Sequence, residues 1–517
     1  MKDLFPPENK KDIEFLRQFI NNKKIINKNF GDIFFDDQIW DAGPLDNRSW
    51  LWTLHSFVVF DSLIAVGEIN LLKQLIASWS ERFENVAVEE DFPWHDHATA
   101  LRLDRISRIA IQFSESVFDE LARKHGNLLL RDDFYEKNTN HGFDQSLSLI
   151  LASLAFSAIP ESSQWQVVGL ERLKSEMDFA FTSEGVHVEN SPAYHMGMIG
   201  NMLRARRLLK HININYEGID SLFDKALVFL AWITRPDRFL TYLGDSVSYR
   251  PNVAKELLDL PGASMVEWVS SAGKDGVKPE GECALFEKSG YFIYRSSWDN
   301  WPGHTYIVFK SGFLSNYHRQ DDDLNILLHA YDEDWLIDSG MYNHNQKDPI
   351  RQYMRSVRAH NVPYFPDVKI DRKNMGIGFS GLNAIEVDGW THSVEGFTSM
   401  YSSGQVFRKV LIKDKDNFRV FDSFSGFGDK KKYFMFHFPL GKVIDFENGV
   451  VSVFSKTKRL LIKSSADDLG LGLYKGFDQV FPSVVSNKIN HKEDTQVVVF
   501  GPFLGDSVFF DFCFLDR

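Results

Sequence analysis

The chain has 517 residues, 44% hydrophobic and 25% charged, a globular composition whose length predicts two or three domains. A formal net charge of −13 argues against broad binding to nucleic acid, while leaving room for a local basic cleft that meets a polyanion. Two cysteines, Cys283 and Cys513, imply neither a disulfide framework nor a cysteine metal site. Aromatic residues are abundant at 14%; large cores account for most of them, and rings lining a sugar-binding cleft would add to the number.

Residues 1–30 are rich in Lys and Asn and lack the apolar run of a signal peptide. The best apolar run, 57–66, is interrupted by Asp61 and Ser62 and is too short to span a bilayer. The expectation is a cytoplasmic enzyme with no membrane partner, or a secreted or periplasmic one if the chain is a mature form. From about residue 48 the pattern is helical, with helices predicted at 49–63, 68–83, 98–118, 118–125, 143–156, 164–181, 192–209 and 219–233. Many helices of similar length with short links suggest stacked antiparallel pairs, as a solenoid or a closed α/α ring; no clean repeat decides between them.

Around 251–282, Pro and Gly punctuate the chain. Beyond it, short runs rich in Val, Phe, Ile and Tyr at 291–294, 305–309, 418–421, 450–454, 496–500 and 507–514 read as strands of a large antiparallel sandwich. The predicted domains are an α-helical one over 1–270 and a β-sandwich over 271–517. A cleft between domains is a favoured place for a ligand.

Several stretches carry residues suited to chemistry. In 188–195, Val-Glu-Asn-Ser-Pro-Ala-Tyr-His, Ser191 is a natural N-cap and Pro192 fits the first helical position. Tyr194 and His195 then sit at a positive helix end, with Glu189 just before it. Asn140 and His141 likewise fall at a helix start, where Asn140 either faces an anion or simply caps the helix. In 315–328 the alternation His318-x-Gln320-x-Asp322 would place three polar groups on one strand face, although three adjacent aspartates usually make a solvated turn.

Asp338 ends a strand, and His360 follows the basic stretch from Arg351 through Arg358. An imidazole, a carboxylate and an amide oxygen make a possible zinc or calcium site. His97 and Arg102 either line a cleft or cap and pack a helix. Leu243-Gly-Asp-Ser246, with Tyr249 nearby, reads as a plain turn. There is no Gly-rich phosphate loop, Gly-x-Ser-x-Gly elbow or His-Glu-x-x-His.

Taken in order, Asn140-His-Gly-Phe, Glu189-Asn-Ser-Pro-Ala-Tyr-His, Leu243-Gly-Asp-Ser, His318-x-Gln-x-Asp-x-Leu, Leu336-Ile-Asp-Ser-Gly and Arg358-Ala-His-Asn resemble the heparinase II/III superfamily of polysaccharide lyases. The chain looks heparinase III-like and is also similar to related alginate lyases. The resemblance implies an incomplete (α/α) toroid followed by a large antiparallel β-sandwich. It implies that Asn140, with His141 beside it, neutralises a uronate carboxylate. Tyr194 resembles the catalytic tyrosine, and His318 the histidine that the β domain brings across the cleft.

Gln320, Asp338 and His360 resemble the family's metal ligands, zinc in some members and calcium in others. Many members have a second histidine where this chain has Gln320, which weakens the case for zinc and leaves a hard cation, or none. Such a metal would brace loops rather than perform chemistry. Glu189, His195, His97, Arg102, Tyr249 and Arg358 complete the expected substrate contacts.

The implied reaction is β-elimination at a uronic acid, with Tyr194 or His318 removing the C5 proton and Tyr194 protonating the departing oxygen. The helix end and neighbouring imidazoles are expected to favour the ionised tyrosine. The expected partner is an acidic polysaccharide, heparan-like ahead of alginate; a homo-oligomer stays open and no nucleic acid is expected. A glycoside hydrolase would need a pair of cleft carboxylates, and nothing pairs Glu189 with Asp245. A non-catalytic glycan-binding or polysaccharide-assembly protein is the third reading.

Overall fold

The computed structural model describes residues 10–27, 30–36, 38–86, 92–113, 118–372 and 375–517. The chain forms two compact units, Met1–Ala180 with Gly200–Glu217, and Phe181–Ile199 with Gly218–Arg517. Element type changes from helix to strand between Ser271 and Cys283. Compactness draws a different line: the segment Phe181–Ile199 packs with the strands although it precedes two more helices.

In the first unit the helix Asn140–Ala155 packs on both Ser162–Ala180 and Asp96–Phe113. It is central because it is buried nearly all round, with Phe143, Leu147, Leu149, Ile150 and Ala152 enclosed together with the polar Asp144, Gln145 and Ser146. Gly169 lets the neighbouring helix approach, since a Cβ there would stand 2.8 Å from the Ile150 side chain.

The single helix expected over 49–63 is broken. Arg48–His55 ends, Phe57 takes a left-handed φ of 61°, and a second helix runs over Asp61–Val66. The Phe57 ring is buried against Trp40 and Trp79, so packing outweighs helix continuity. The helix expected over 98–118 spans Asp96–Phe113, and 114–117 lie outside the described residues. No single helix among the described residues is long and apolar enough to cross a membrane.

The second unit holds the helices Ile219–Ile233 and Pro261–Ser271 and three large antiparallel sheets. The first is a five-stranded meander, Cys283–Phe286, Tyr291–Arg295, Tyr306–Lys310, Asn325–Ala330 and Glu333–Leu336. An eight-stranded sheet runs from Val443–Glu447 at one edge to Ser380–Ala384 at the other. A four-stranded sheet centres on Lys432–Phe438 and Gln496–Phe503.

Phe309 and Ile326, Val394 and Val410, and Phe434 and Val498, one pair from each sheet, belong to one continuous core. A Cβ on Gly396 would meet Phe309 at 2.7 Å, so two sheets press together there. Strand Asn417–Ser425 shows the half-buried alternation, with Phe418, Val420, Asp422 and Phe424 inward. Its inward Asp422 is paired with the fully buried Arg408 at 2.6 Å. A helical region followed by an antiparallel sandwich is thus the observed fold, as the sequence led us to expect.

Candidate active site

The helix Pro192–His211 begins as its sequence dictates. The Ser191 carbonyl accepts the His195 N–H at 2.9 Å, and Ser191 Oγ accepts the Tyr194 N–H at 3.4 Å. Ser246 joins this cap: its hydroxyl lies 2.7 Å from Ser191 Oγ and accepts the Ala193 N–H at 3.2 Å. Asn190 adopts a left-handed φ of 57°, and its amide donates to the carbonyls of Ser315 (3.0 Å) and Tyr317 (2.9 Å). Ser315 Oγ donates to Val188 O at 2.7 Å. Gly244 must be glycine: its φ is +59°, and a Cβ would stand 2.6 Å from Asn190 O. Three stretches far apart in sequence, 188–191, 243–246 and 315–318, are thereby fastened together.

Their product is a compact polar cluster. The Tyr194 ring stacks on the His318 imidazole with centroids 3.7 Å apart and planes inclined by 23°. His318 has a left-handed φ of 53°; its Nδ1 lies 3.1 Å from Asp245 Oδ2 and its Nε2 3.7 Å from Glu189 Oε2. Asp245 also accepts Arg351 Nη1 at 2.6 Å and Gln320 Nε2 at 2.7 Å. Burial works against its charged form, yet hydrogen bonds from His318 and Arg351 and the Arg351 charge hold the carboxyl well below the usual range.

Burial, followed by the Asp245 and Glu189 charges, pushes the Tyr194 phenol well above its ordinary value. The ionised tyrosine expected from the sequence is therefore disfavoured: burial, with the Asp245 and Glu189 charges added to it, outweighs the helix end. His344, its ring 6.5 Å from His318, is held down to about 4 by burial and by its neighbour.

Other expectations need correction. Tyr194 and His318 belong to one compact unit rather than to opposite domains, because Phe181–Ile199 packs with the strands. Leu243–Ser246 is no plain turn; it delivers Asp245 and Ser246. The strand begins only at Asn325, so His318, Gln320 and Asp322 share no strand face. The three adjacent aspartates are buried, not solvated, each with its own cation: Asp321 with Arg372, Asp322 with Lys310 at 2.5 Å, and Asp323 with Arg319 at 2.6 Å.

His195 is 1% exposed, with Nδ1 accepting the His187 N–H at 3.2 Å and Nε2 2.9 Å from Ala226 O; burial lowers it to about 3. It is an interior histidine and offers nothing to a substrate. Tyr249, 47% exposed, remains available; Arg358 donates to Val480 O at 3.4 Å.

In the first unit Thr139, not Asn140, caps the helix Asn140–Ala155, accepting the Gly142 N–H at 3.1 Å. His141 Nδ1 lies 2.7 Å from Asp96 Oδ2, and its ring stacks on His97 at 4.1 Å. His97 is buried between Trp52, whose indole N–H donates at 3.2 Å, and Asp144 at 2.9 Å. It can orient His141 but has no free face for a sugar. Arg102 is fully buried on the Trp79 ring at 3.9 Å and donates to His125 Nε2 at 2.7 Å. It is a core residue, and the substrate contact expected of it falls away.

Of the expected metal ligands, Gln320 Nε2 donates to Asp245 and to Gly340 O, while its buried Oε1 has no hydrogen-bond partner. Asp338 accepts the Gly340 N–H at 3.1 Å and holds His360 Nδ1 at 2.9 Å, leaving the buried His360 Nε2 without a partner. A carboxylate that fixes an imidazole so that its second nitrogen presents a lone pair is a common support for a bound cation. The donor set therefore fits one. Among the described residues no three or more His, Cys, Asp or Glu side chains gather as a metal cluster, so the glutamine is integral to this reading.

A helical region, an antiparallel sandwich and a Tyr–His pair flanked by buried carboxylates define a class of toroid-plus-sandwich proteins. Residues 9–261 match the model of the heparinase II/III N-terminus, and residues 278–500 that of the heparinase II/III-like C-terminal region. The chain belongs to the heparinase II/III-like family.

The heparin-sulfate lyase of Pedobacter heparinus is 22% identical over 422 residues, 75% of this chain and 62% of that protein, so less than two thirds of the relative is spanned. The crystal structure of the heparan sulfate lyase HepC from Pedobacter heparinus superposes with a TM-score of 0.69 at 20% identity, covering 100% of this chain and 84% of that one. A crystal structure of heparinase III gives 0.78 at 17% identity, covering 98% and 85%.

Proposed function

We propose that the protein is a polysaccharide lyase that cleaves a uronate-containing glycan of the heparan sulfate type by β-elimination. The observation that carries this reading is the Tyr194–His318 stack beside the buried Asp245. Relatives named heparin-sulfate lyases in the same family support the substrate class.

The two rings divide the work according to their surroundings. Tyr194, its phenol pushed up by burial and two carboxylates, stays protonated and is the donor. His318 is the base. Its Nε2 takes the C5 proton, the released pair forms the C4=C5 bond, the C4–O bond breaks, and the Tyr194 hydroxyl protonates the departing oxygen. The products are a fragment with a 4,5-unsaturated uronate at its non-reducing end and a fragment with a new reducing end.

The C5 proton is acidic only if the adjacent carboxylate is neutralised, and family resemblance gives Asn140, with His141, that task. One such donor is worth roughly 3–4 kcal/mol. A divalent cation held by Gln320, Asp338 and His360 would brace the loops carrying His318 and Gly340; the unpartnered Gln320 Oε1 and His360 Nε2 support it.

A panel of heparan sulfate, heparin, chondroitin sulfate and alginate, read by absorbance of the new double bond, tests the reading. Saturated products, or none on any polyuronate with divalent cation present, would overturn it.

A further inference from the structure

Asp245 is out of a sugar's reach yet touches the proposed base, and its bonding is more complete than a surface carboxylate's. It is 2% exposed; Arg351, 3% exposed, grips both its oxygens, Gln320 donates to Oδ1, and His318 Nδ1 meets Oδ2. The backbone is fixed as well, because Asp245 O accepts the Ser191 hydroxyl at 3.0 Å at the start of the helix that carries Tyr194.

A carboxylate so placed has one consequence for an imidazole. It is ionised and accepts only, so the nitrogen facing it must carry the hydrogen. Glu189 Oε2, 3.7 Å from Nε2, is beyond hydrogen-bond distance, so the proton of neutral His318 goes to Nδ1 and the lone pair stays on Nε2, the nitrogen that a base must offer. An arginine fork fixes the carboxylate's plane as well as its charge. Without Arg351 the carboxylate would be a buried, partly unpaired charge, free to turn towards Gln320 alone.

We propose that Asp245, clamped by Arg351, is a positioning residue that holds His318 as the Nδ1–H tautomer and aims Nε2 at the reacting carbon. The same clamp ties base and acid together, since Asp245 reaches His318 through its side chain and the Tyr194 helix through its carbonyl. This inference rests on the lyase reading for its catalytic meaning, but its structural claim can be read without substrate.

The test uses the full-length protein labelled with ¹⁵N-histidine, the His318 resonances being assigned by their loss in His318→Gln. Wild type should show neutral His318 as the Nδ1–H tautomer. In Asp245→Asn, whose amide can turn a donor towards Nδ1, the Nε2–H form should gain population. The turnover number should fall by about 10³-fold or more, as when a triad aspartate becomes asparagine, with KM changed only a few-fold.

Because Asp245→Asn leaves the Arg351 charge buried and uncompensated, the double variant Asp245→Asn/Arg351→Met is the folding control and should show the same tautomer change and the same loss. Arg351→Lys keeps the charge without the fork and should lie between.

A folded Asp245→Asn or double variant that retains the Nδ1–H tautomer overturns the proposal, as does one with wild-type turnover. A tautomer change in a protein that releases no unsaturated product from any glycan overturns the lyase reading and leaves the positioning role standing.

Discussion

Tyr194 and His318 stand face to face at 3.7 Å, and in the proposed reaction their neighbours decide which gives a proton and which takes one. The phenol is buried beside Asp245 and Glu189, which disfavours a second negative charge. Tyr194→Phe keeps the ring and the stack and removes only the donor, so it should lower turnover by at least about 10²-fold with unchanged melting temperature.

Arg102 calls for the opposite signature. Its guanidinium lies on Trp79 and donates to His125 inside the helical unit. Arg102→Ala should cost about 3 kcal/mol or more in stability through a cavity and unpaired polar groups, seen in denaturant unfolding, while KM of the folded protein stays the same. An arginine beside a Trp-His-Asp-His run reads equally well as cleft or core from sequence. The decision depends on Trp79 and His125, which the helical pattern does not place.

At the scale of elements, the site is made by turns rather than by regular structure. Gly244 occupies a left-handed conformation against Asn190 O, so Gly244→Ala should destabilise the turn by about 1–3 kcal/mol and reduce activity further than stability explains, because Asp245 follows directly. Circular dichroism melts beside product formation would separate the two losses.

The loop from His318 to Asp323 is anchored by buried ion pairs. Lys310→Met should therefore cost about 3–5 kcal/mol by leaving Asp322 unpaired, and adding Asp322→Leu should recover much of it. The helix start at Ser191 was legible because capping is local chemistry. The burial of Asp321, Asp322 and Asp323 was not, since each partner lies outside the run, Arg372 some 51 positions away. The Asp245–Arg351 clamp spans 106 positions, and no periodicity in either stretch announces it.

At the scale of the whole molecule, the helical-then-strand order was readable because period 3.6 gives way to period 2 near residue 280. The compact units were not, because Phe181–Ile199, a connecting stretch and the first turns of a helix, packs with the strands. That packing puts Tyr194 and His318 in one unit. Buried neutral histidines also shape the molecule's response to acid. His55, His195 and His304 are each lowered by burial to about 3 from an ordinary 6.5.

The unfolded chain binds these protons near pH 6.5 and the folded chain does not. Stability is therefore full above about pH 6.5 and falls as the pH drops towards 4. Melting temperatures measured from pH 7.5 to 4.5 should decline steadily through this window; a flat profile would show that these side chains gain solvent in the folded state.

The most direct measurement is the absorbance of a C4=C5 double bond when the protein meets heparan sulfate. Wild type should produce a steady rise, and Tyr194→Phe, folded and at equal concentration, none above background. Equal rates in the two proteins, or no rise from wild type on any polyuronate with a divalent cation present, would contradict the account.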